Sequence, residues 1–427
     1  MEVMYPVCCG LDVHKKILVC CLRDGKRTQT RRYGTSTCEI RGMVRWLRDS
    51  GCQMTVMEST GSYWKPVYNV FEAEESPVMV ANARDVRNVP GRKTDKADAE
   101  WLSDLLRHGL VRPSYIPDKR QRELREALAF RQKLVRFNAA LSNVFQKMLE
   151  GGNIKLSGAL SDIMGSSAQA LLSEILEGRR LGEADIMRLQ MERKVSRRIK
   201  ATPAELASSL DGILTDMQTF SLRMCLDRMK EVDDARERLD EKILSSLDER
   251  QREVAGRLTE IPGVGMISAV NIIAVIGTDM SRFPSARHLS SWAGVSPGNN
   301  ESAGKRMSGR TTKGNALLKT TLVMCAQAAS MAKGSFFSAQ YSKLVKRRGA
   351  NRAKMAVAHS MLIAIYHMIK NNEPFKDLGT DYYIRGNVEK EVAKHLRVLV
   401  NLGYDINGGG FDMEPASVEV GLSPAPL

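Results

Sequence analysis

Four carboxylates in the first hundred residues have the types and spacing for metal-assisted phosphate chemistry. Asp12 interrupts an apolar run, Cys-Cys-Gly-Leu-Asp-Val. A carboxylate buried there without a partner costs several kcal/mol, so it needs a cation, a hydrogen-bonded site or an open strand end. Glu58 closes the short apolar run Met54 to Met57. Asp95 and Asp98 are three residues apart at the start of a helical pattern, which puts them on one face, about 5–6 Å apart at Cβ. Together such groups can hold hard divalent ions, Mg²⁺ above all, which takes oxygen ligands and keeps waters and phosphate oxygens in its shell. Two ions about 3.5–4 Å apart can clamp an in-line displacement at phosphorus. The plainer reading of Asp95 and Asp98 alone is a helix cap or a macrodipole partner.

A second group of candidates lies near residue 300. Ser290, Ser291, Ser296, Ser302 and Ser308 occur in a glycine-rich polar stretch that also carries Lys305, Arg306, Arg310 and Lys313. Serine is a weak nucleophile unless a base or metal activates it, and neighbouring cations stabilise charge developing on a phosphoryl group. A loop serine is ordinarily a cap or a solvated residue. Chemistry alone does not choose among the five. Upstream, the stretch Ile261 to Ala269, with Gly263 and Gly265, resembles a helix-hairpin-helix turn. Its glycines would expose N–H groups to phosphate at a helix start, although structural turns also use Pro and Gly.

The elements that must position these residues fall into contrasting regions. Residues 1 to about 110 alternate strand and helix signals. The apolar run Val7–Leu22, broken at Asp12–Lys16, leads through Gly25 into a polar strand from Arg27 to Tyr33, which suggests a hairpin. Helical spacing follows at Ile40–Arg48, ended by Gly51, then strands at 54–57 and 78–81 separated by a helix at 63–74. A basic stretch, Asp85–Lys96, precedes a helix at 96–108. This pattern predicts a layered α/β domain. From Pro117 to about Arg252 long helices dominate. Residues 119–150 carry eight Lys or Arg against three Glu, and helical spacing resumes over 204–252. A helical hairpin or coiled-coil arm accounts for this, and a compact helical bundle is the alternative. Glycine punctuation returns from Leu258 to Lys346. Residues 341–372 then carry seven Lys or Arg and no acid. The Gly/Pro-rich end from Gly408 is expected to be disordered.

With 43% hydrophobic and 26% charged residues the chain has a folding composition, not a disordered one. Its formal net charge of +15 favours a polyanionic partner. Charge alone does not separate nucleic acid from an anionic membrane surface. No stretch reaches the length expected of a membrane span, and Met355–Ile369 is broken by His359, Ser360 and His367. The N-terminus lacks a signal-peptide pattern. Eight cysteines form no C-x-x-C pair, and Cys8, Cys9, Cys20 and Cys21 read as small buried hydrophobes. A reduced, cytosolic protein is expected.

Three blocks now carry a resemblance. Gly10-Leu11-Asp12-Val13-His14-Lys15, Glu58-Ser59-Thr60-Gly61-Ser62-Tyr63-Trp64 and Lys93-Thr94-Asp95-Lys96-Ala97-Asp98-Ala99 resemble, in order, the motif blocks of DEDD-type insertion-sequence transposases of the IS110 family. Asn300-Glu301-Ser302-Ala303-Gly304-Lys305 and Gly309-Arg310-Thr311-Thr312-Lys313-Gly314-Asn315 resemble that family's C-terminal transposase domain. The resemblance implies an α/β ribonuclease H-like (RuvC-like) N-terminal domain over 1–112 and a helical or coiled-coil arm over 113–256. It also implies a mostly α transposase domain over 257–346, followed by a basic helix and extension over 347–427. It implies Mg²⁺ binding by Asp12, Glu58, Asp95 and Asp98, and Ser302 as nucleophile, with Ser308 as the alternative. It further implies donor and target DNA as substrates, a noncoding bridge RNA as guide, a homodimer or tetramer with a composite site, and action at the bacterial nucleoid. Gly263, Gly265, Lys305, Arg306, Arg310 and Lys313 are the candidate nucleic-acid contacts, and the basic helices at 119–150 and 343–354 are further ones. The competing readings are a metal-only junction resolvase, in which water attacks, and a basic nucleic-acid-binding protein without activity.

Overall fold

The structure, a computed structural model, describes residues 2–25, 27–59, 61–81, 95–298, 300–302, 305–308, 310–311, 313–382 and 388–402. The basic stretch around 85–94 and the Gly408 segment lie outside them. Two compact units result, Met1–Asp118 and Lys119–Leu427.

In the first unit the apolar run at the N-terminus is two strands, not one. β1 (Val7–Val13) and β2 (Ile17–Asp24) pair antiparallel around His14–Lys16, with β3 (Arg27–Gly34) antiparallel to β2. The expected hairpin is therefore a three-stranded meander, because the polar residues that seemed only to interrupt the run form its turn. After helix α1 (Thr37–Asp49) come β4 (Met54–Glu58), helix α2 (Trp64–Ala73), β5 (Val78–Ala81) and helix α3 (Asp95–Arg107). The sheet order is β3-β2-β1-β4-β5, with β4 parallel to β1 and β5 parallel to β4.

Strand alternation sends successive side chains of β1 to opposite faces. Cys9, Leu11 and Val13 join Ile40, Met43, Val44 and Leu47 of α1 and Val67 and Phe71 of α2 in one core. On the other face Cys8 and Val56 pack against Leu102 and Leu106 of α3. Both faces are thus covered near β1, which accounts for the near-continuous apolar strands of the sequence.

The second unit is helical. α4 (Lys119–Gly151) runs out, and four short helices follow, α5 (Leu156–Ala159), α6 (Ser166–Leu176), α7 (Glu183–Met191) and α8 (Pro203–Leu210). α9 (Asp216–Ser246) then returns along α4. The antiparallel pairing is fixed by Asn138 Nδ2 donating to the Met229 carbonyl (3.4 Å) and by a two-pronged Arg131–Asp240 ion pair. The short helices build their own core around Phe145, Leu171, Ile186 and Leu206. A helical hairpin and a compact bundle therefore both occur, the bundle at the tip of the hairpin.

At the other end of the hairpin, Leu124 and Leu128 of α4 and Ile243 of α9 enter a larger core. It is formed with α10 (Glu249–Leu258), α11 (Met266–Ile276), α12 (Ala286–Ala293), α13 (Ala316–Met331), α14 (Phe336–Arg348) and α15 (Ala350–Asn371). Between α12 and α13 lies a two-stranded hairpin, β6 (Asn300–Ser302) and β7 (Lys305–Ser308), and α16 (Val388–Asn401) follows α15. α11 is almost wholly buried, so its final carbonyls need internal donors. Gln121 and Arg125 of α4 supply them, Gln121 Nε2 to Ala274 O at 2.8 Å and Arg125 to Ala274 O and Val275 O at 2.7 Å each.

Candidate active site

Asp12 is positioned by what surrounds Gly10. Cys8, Gly10 and Asp12 share the face of β1 that α3 covers. α3 lies so close that a Cβ on Gly10 would sit 2.1 Å from the Ala99 carbonyl oxygen and 2.5 Å from the Ser103 nitrogen. The Cys8 thiol donates to the Ser103 carbonyl at 3.4 Å. From Cys8 to Gly10 the contact thus moves back along α3, from Ser103 toward Ala99, so the helix is antiparallel to the strand. Four helical residues advance about 6 Å and two strand residues about 6.6 Å. The start of α3 therefore lies toward the C-terminal end of β1, the end that carries Asp12.

Glu58 arrives from the neighbouring strand. The parallel register pairs Gly10 with Val56 and Leu11 with Met57, and one further step sets Glu58 opposite Asp12. Adjacent strands are about 4.8 Å apart. Both acids stand at the C-terminal ends of parallel strands, where open α/β sheets characteristically bind ligands. Glu58 is half-buried, and the Asp12 side chain, 19% exposed, accepts a hydrogen bond from His14 Nε2 at 2.8 Å. His14 is a neighbour of Asp12 that sequence reasoning did not single out. Its position two residues beyond Asp12 at the strand end was the available signal.

Asp12 and Glu58 thus stand near the C-terminal ends of two neighbouring parallel strands. Asp98 is exposed in the first turn of α3, and the Asp95 side chain lies outside the described residues. Among the described residues no group of three or more His, Cys, Asp or Glu is clustered closely enough to hold a metal ion. The donor chemistry, all carboxylate oxygen, is that of a hard divalent cation and not of a thiolate site. At the other end of these strands, burial pushes the Cys8 and Cys52 thiols up to about 11 and holds Cys9 well above its ordinary value, which favours their protonated forms.

Ser302 belongs to the second unit. The stretch expected as a loop is instead a pair of short antiparallel strands, with Ser302 paired to Lys305 and Glu301 to Arg306. Asn300 pairs with Ser308 after an irregularity, so Ser302 ends the first strand and Ser308 stands at the base. The pair was overlooked because polar residues mask the alternation that usually marks strands. The side chains of residues 300–309 lie outside the described set. The base is tied down by the Pro297–Thr311 bridge, by Gly298 N donating to Arg310 O (2.9 Å) and by Lys319 Nζ donating to Thr311 Oγ1 (2.6 Å). Arg310 and Lys313 are exposed.

Gly263 and Gly265 differ. Gly263 has φ +85° and packs on α13, where a Cβ would meet the Ala329 nitrogen and the Cys325 carbonyl oxygen at 2.5 Å each. It has a packing reason of its own. Gly265 is exposed and caps the start of α11 without a side-chain hydrogen bond.

A DEDD transposase model of the IS110 group matches residues 9–154. A second model, described as Transposase IS116/IS110/IS902 family, matches residues 255–342. Together they take in more than half of the chain, and they fall on the acidic strand ends and on the serine hairpin. The chain belongs to the IS110 family of transposases. It is a DNA transposase/recombinase. The transposase of insertion sequence element IS1111A from Coxiella burnetii (strain RSA 493 / Nine Mile phase I) is 24% identical to it over 376 residues, 86% of this chain and 90% of that one. The pilin gene-inverting protein of Moraxella lacunata is 30% identical over 125 residues, 28% of this chain and 38% of that one. Among solved structures, RuvC of Thermus thermophilus is matched over 25% of this transposase and 99% of that chain, at 13% identity and a TM-score of 0.21. No described helix of the transposase is long and apolar enough to cross a membrane.

Proposed function

We propose that this transposase cuts and rejoins the DNA of an insertion element through a phosphoserine intermediate on Ser302, with Asp12, Glu58, Asp95 and Asp98 holding Mg²⁺. What supports the metal half is the parallel pairing of β1 with β4 up to Leu11 and Met57, which leaves Asp12 and Glu58 next along neighbouring strands, with α3 packed on β1 at Gly10. The meander followed by two parallel strands, with helices on both faces, supports a ribonuclease H-like reading of this unit. Bound Mg²⁺ would polarise the phosphate and neutralise charge developing on its oxygens.

Ser302 Oγ attacks the phosphorus and loses its proton as the Oγ–P bond forms. The bridging P–O bond to the sugar breaks, and the released sugar oxygen takes up a proton. Attack by a sugar hydroxyl of the second DNA end reverses the exchange and frees the serine. One ester replaces another at each step, so rejoining needs no ATP. Support for Ser302 is its place in the matched transposase segment and in a hairpin whose partner strand brings Lys305 and Arg306. Lys305, Arg306, Arg310, Lys313 and Gly265 are the proposed nucleic-acid contacts. Gly263 acts there through the shape of the turn.

The family resemblance extends the proposal to a noncoding bridge RNA that pairs with donor and target DNA, which delegates sequence choice to base pairing. The site of action is then the cytoplasm, at the nucleoid. The proposal includes a homodimer or tetramer, supported by the helical hairpin. Phe130, Phe137 and Val144 on α4 and Met217 and Met224 on α9 are all exposed at seven-residue spacing. At 3.6 residues per turn, the two stripes lie about 80–140° round from Asn138 and Met229, which face across the hairpin, and in the same sense. For antiparallel helices that is one side, an apolar flank of the kind a coiled-coil partner covers.

The test is strand exchange between donor and target duplexes in Mg²⁺, with the RNA that copurifies sequenced alongside. Asp12→Ala and Glu58→Ala should each abolish exchange, and the RNA should be one noncoding species that matches both DNA sites. Full exchange by the acid variants would remove the metal site from the proposal. Copurifying RNA without such matches would remove the guide.

A further inference from the structure

Residues 302–372 contain thirteen Lys or Arg and not one Asp or Glu. The fold collects part of this charge at one place. α14 and α15 are joined through the single residue Gly349, at φ +78°, and run back along each other, with Gln340 Nε2 bonded to Ser360 Oγ at 2.8 Å. The last turn of α14 and the first turn of α15 therefore form one corner. Lys346, Arg347, Arg348 and Arg352 are exposed there, and exposed Lys343 lies one turn below. α13 also packs on α14 and α15 and joins α14 through residues 332–335. α13 is reached from the serine hairpin through exposed Arg310 and Lys313, so the basic residues of hairpin, linker and corner belong to one helical unit.

Two plainer explanations fall short. Basic residues in the last turn of a helix complement its macrodipole, which covers Lys346, Arg347 and Arg348 of α14. Arg352 and Lys354 stand in the first turns of α15, where the same dipole opposes them. A solvated charged face ordinarily mixes signs, and this one has no acid within the layer's sequence.

We infer that the α14–α15 corner is a clamp for the sugar-phosphate backbone of duplex DNA, holding the strand that the Ser302 hairpin addresses. The inference rests on the proposed role of Ser302 for the identity of the strand. DNA is favoured over RNA because the corner belongs to the same unit as the Ser302 hairpin and to the same acid-free run of sequence, 302–372. Exposed, flexible cations of this kind contact phosphates without reading bases, so the clamp adds affinity and register on the duplex but no sequence preference.

The experiment is a salt titration of binding to a fluorescein-labelled 30-base-pair duplex and, separately, to a single-stranded RNA of equal length. It compares the full-length wild type, the Arg347→Gln/Arg348→Gln/Arg352→Gln variant, the matching Arg→Lys variant and Ser302→Ala. Each phosphate contact contributes about 0.9 to the slope of log K against log salt on duplex DNA. The Gln variant should lower that slope by about 2 to 3 on DNA and change it less on RNA. The Lys variant and Ser302→Ala should keep the wild-type slope. An unchanged DNA slope in the Gln variant would overturn the clamp, as would a larger loss on RNA or an equal loss in the Lys variant. If Ser302→Ala proves as active as wild type, the serine reading fails while the slopes still decide the clamp.

Discussion

The candidate acidic residues and the candidate serine are held in opposite ways. Asp12 and Glu58 sit at strand ends whose register is fixed by cores on both faces of a five-stranded sheet. Ser302 ends the first strand of a hairpin of three- and four-residue strands, whose base is tied to the helical layer. In the first unit, the contacts that place the carboxylates also hold the unit together. In the second, the proposed nucleophile is carried on a short hairpin between α12 and α13. Carboxylates that share an ion need positions good to fractions of an ångström, which a core supplies. A nucleophile that must reach a long polymer gains from projecting beyond one.

Mutation should separate the two designs. The largest effect is expected at Gly10→Val, where the new side chain would overlap the backbone of α3. The cost should exceed about 3 kcal/mol, read as a lower urea midpoint for the first unit, together with loss of exchange. A variant as stable as wild type would show that α3 does not lie on β1. Next is Arg125→Ala, which strips donors from the Ala274 and Val275 carbonyls at the end of α11. A loss of about 1–3 kcal/mol is expected in thermal unfolding of the second unit, with the first unit unaffected.

A smaller effect should follow from pH. The Cys8 and Cys52 thiols are raised from 9.0 to about 11 by burial. Their neutral forms are favoured in the folded state, so that stability is complete below pH 9 and is lost as pH rises through 11. The melting temperature of the first unit should fall over that window, and Cys8→Ala/Cys52→Ala should flatten the fall. No difference between them would remove the thiols from the account. The smallest effect is Ser302→Ala on stability, within about 0.5 kcal/mol.

The same contrast explains what could be read from the sequence. The strands at 54–58 and 78–81 and the helix at 95–107 were legible within a residue or two, because apolar runs and caps mark buried elements. Asp12 and Glu58 drew attention for the same reason, since a carboxylate in a buried run stands out, and their role is proposed. The turn at His14–Lys16 was misread as an interruption, and the hydrogen bond from His14 to Asp12 was missed with it. The serine hairpin was invisible because its residues are polar throughout and carry no alternation. The tip bundle of α5–α8 was obscured by short helices that look like breaks in one long arm. The packing of α3 on β1 depends on Gly10, whose significance lies in a helix ninety residues away.

One measurement tests the central claim most directly. The transposase is incubated with labelled duplex DNA and Mg²⁺, denatured, and resolved on a gel for covalent protein–DNA adduct. The account predicts an adduct with wild type, none with Ser302→Ala, and none with Asp12→Ala, although Ser302 is intact in the latter. Cleavage by Ser302→Ala at the wild-type rate, with no adduct in any lane, would contradict it and leave a nuclease in which water attacks.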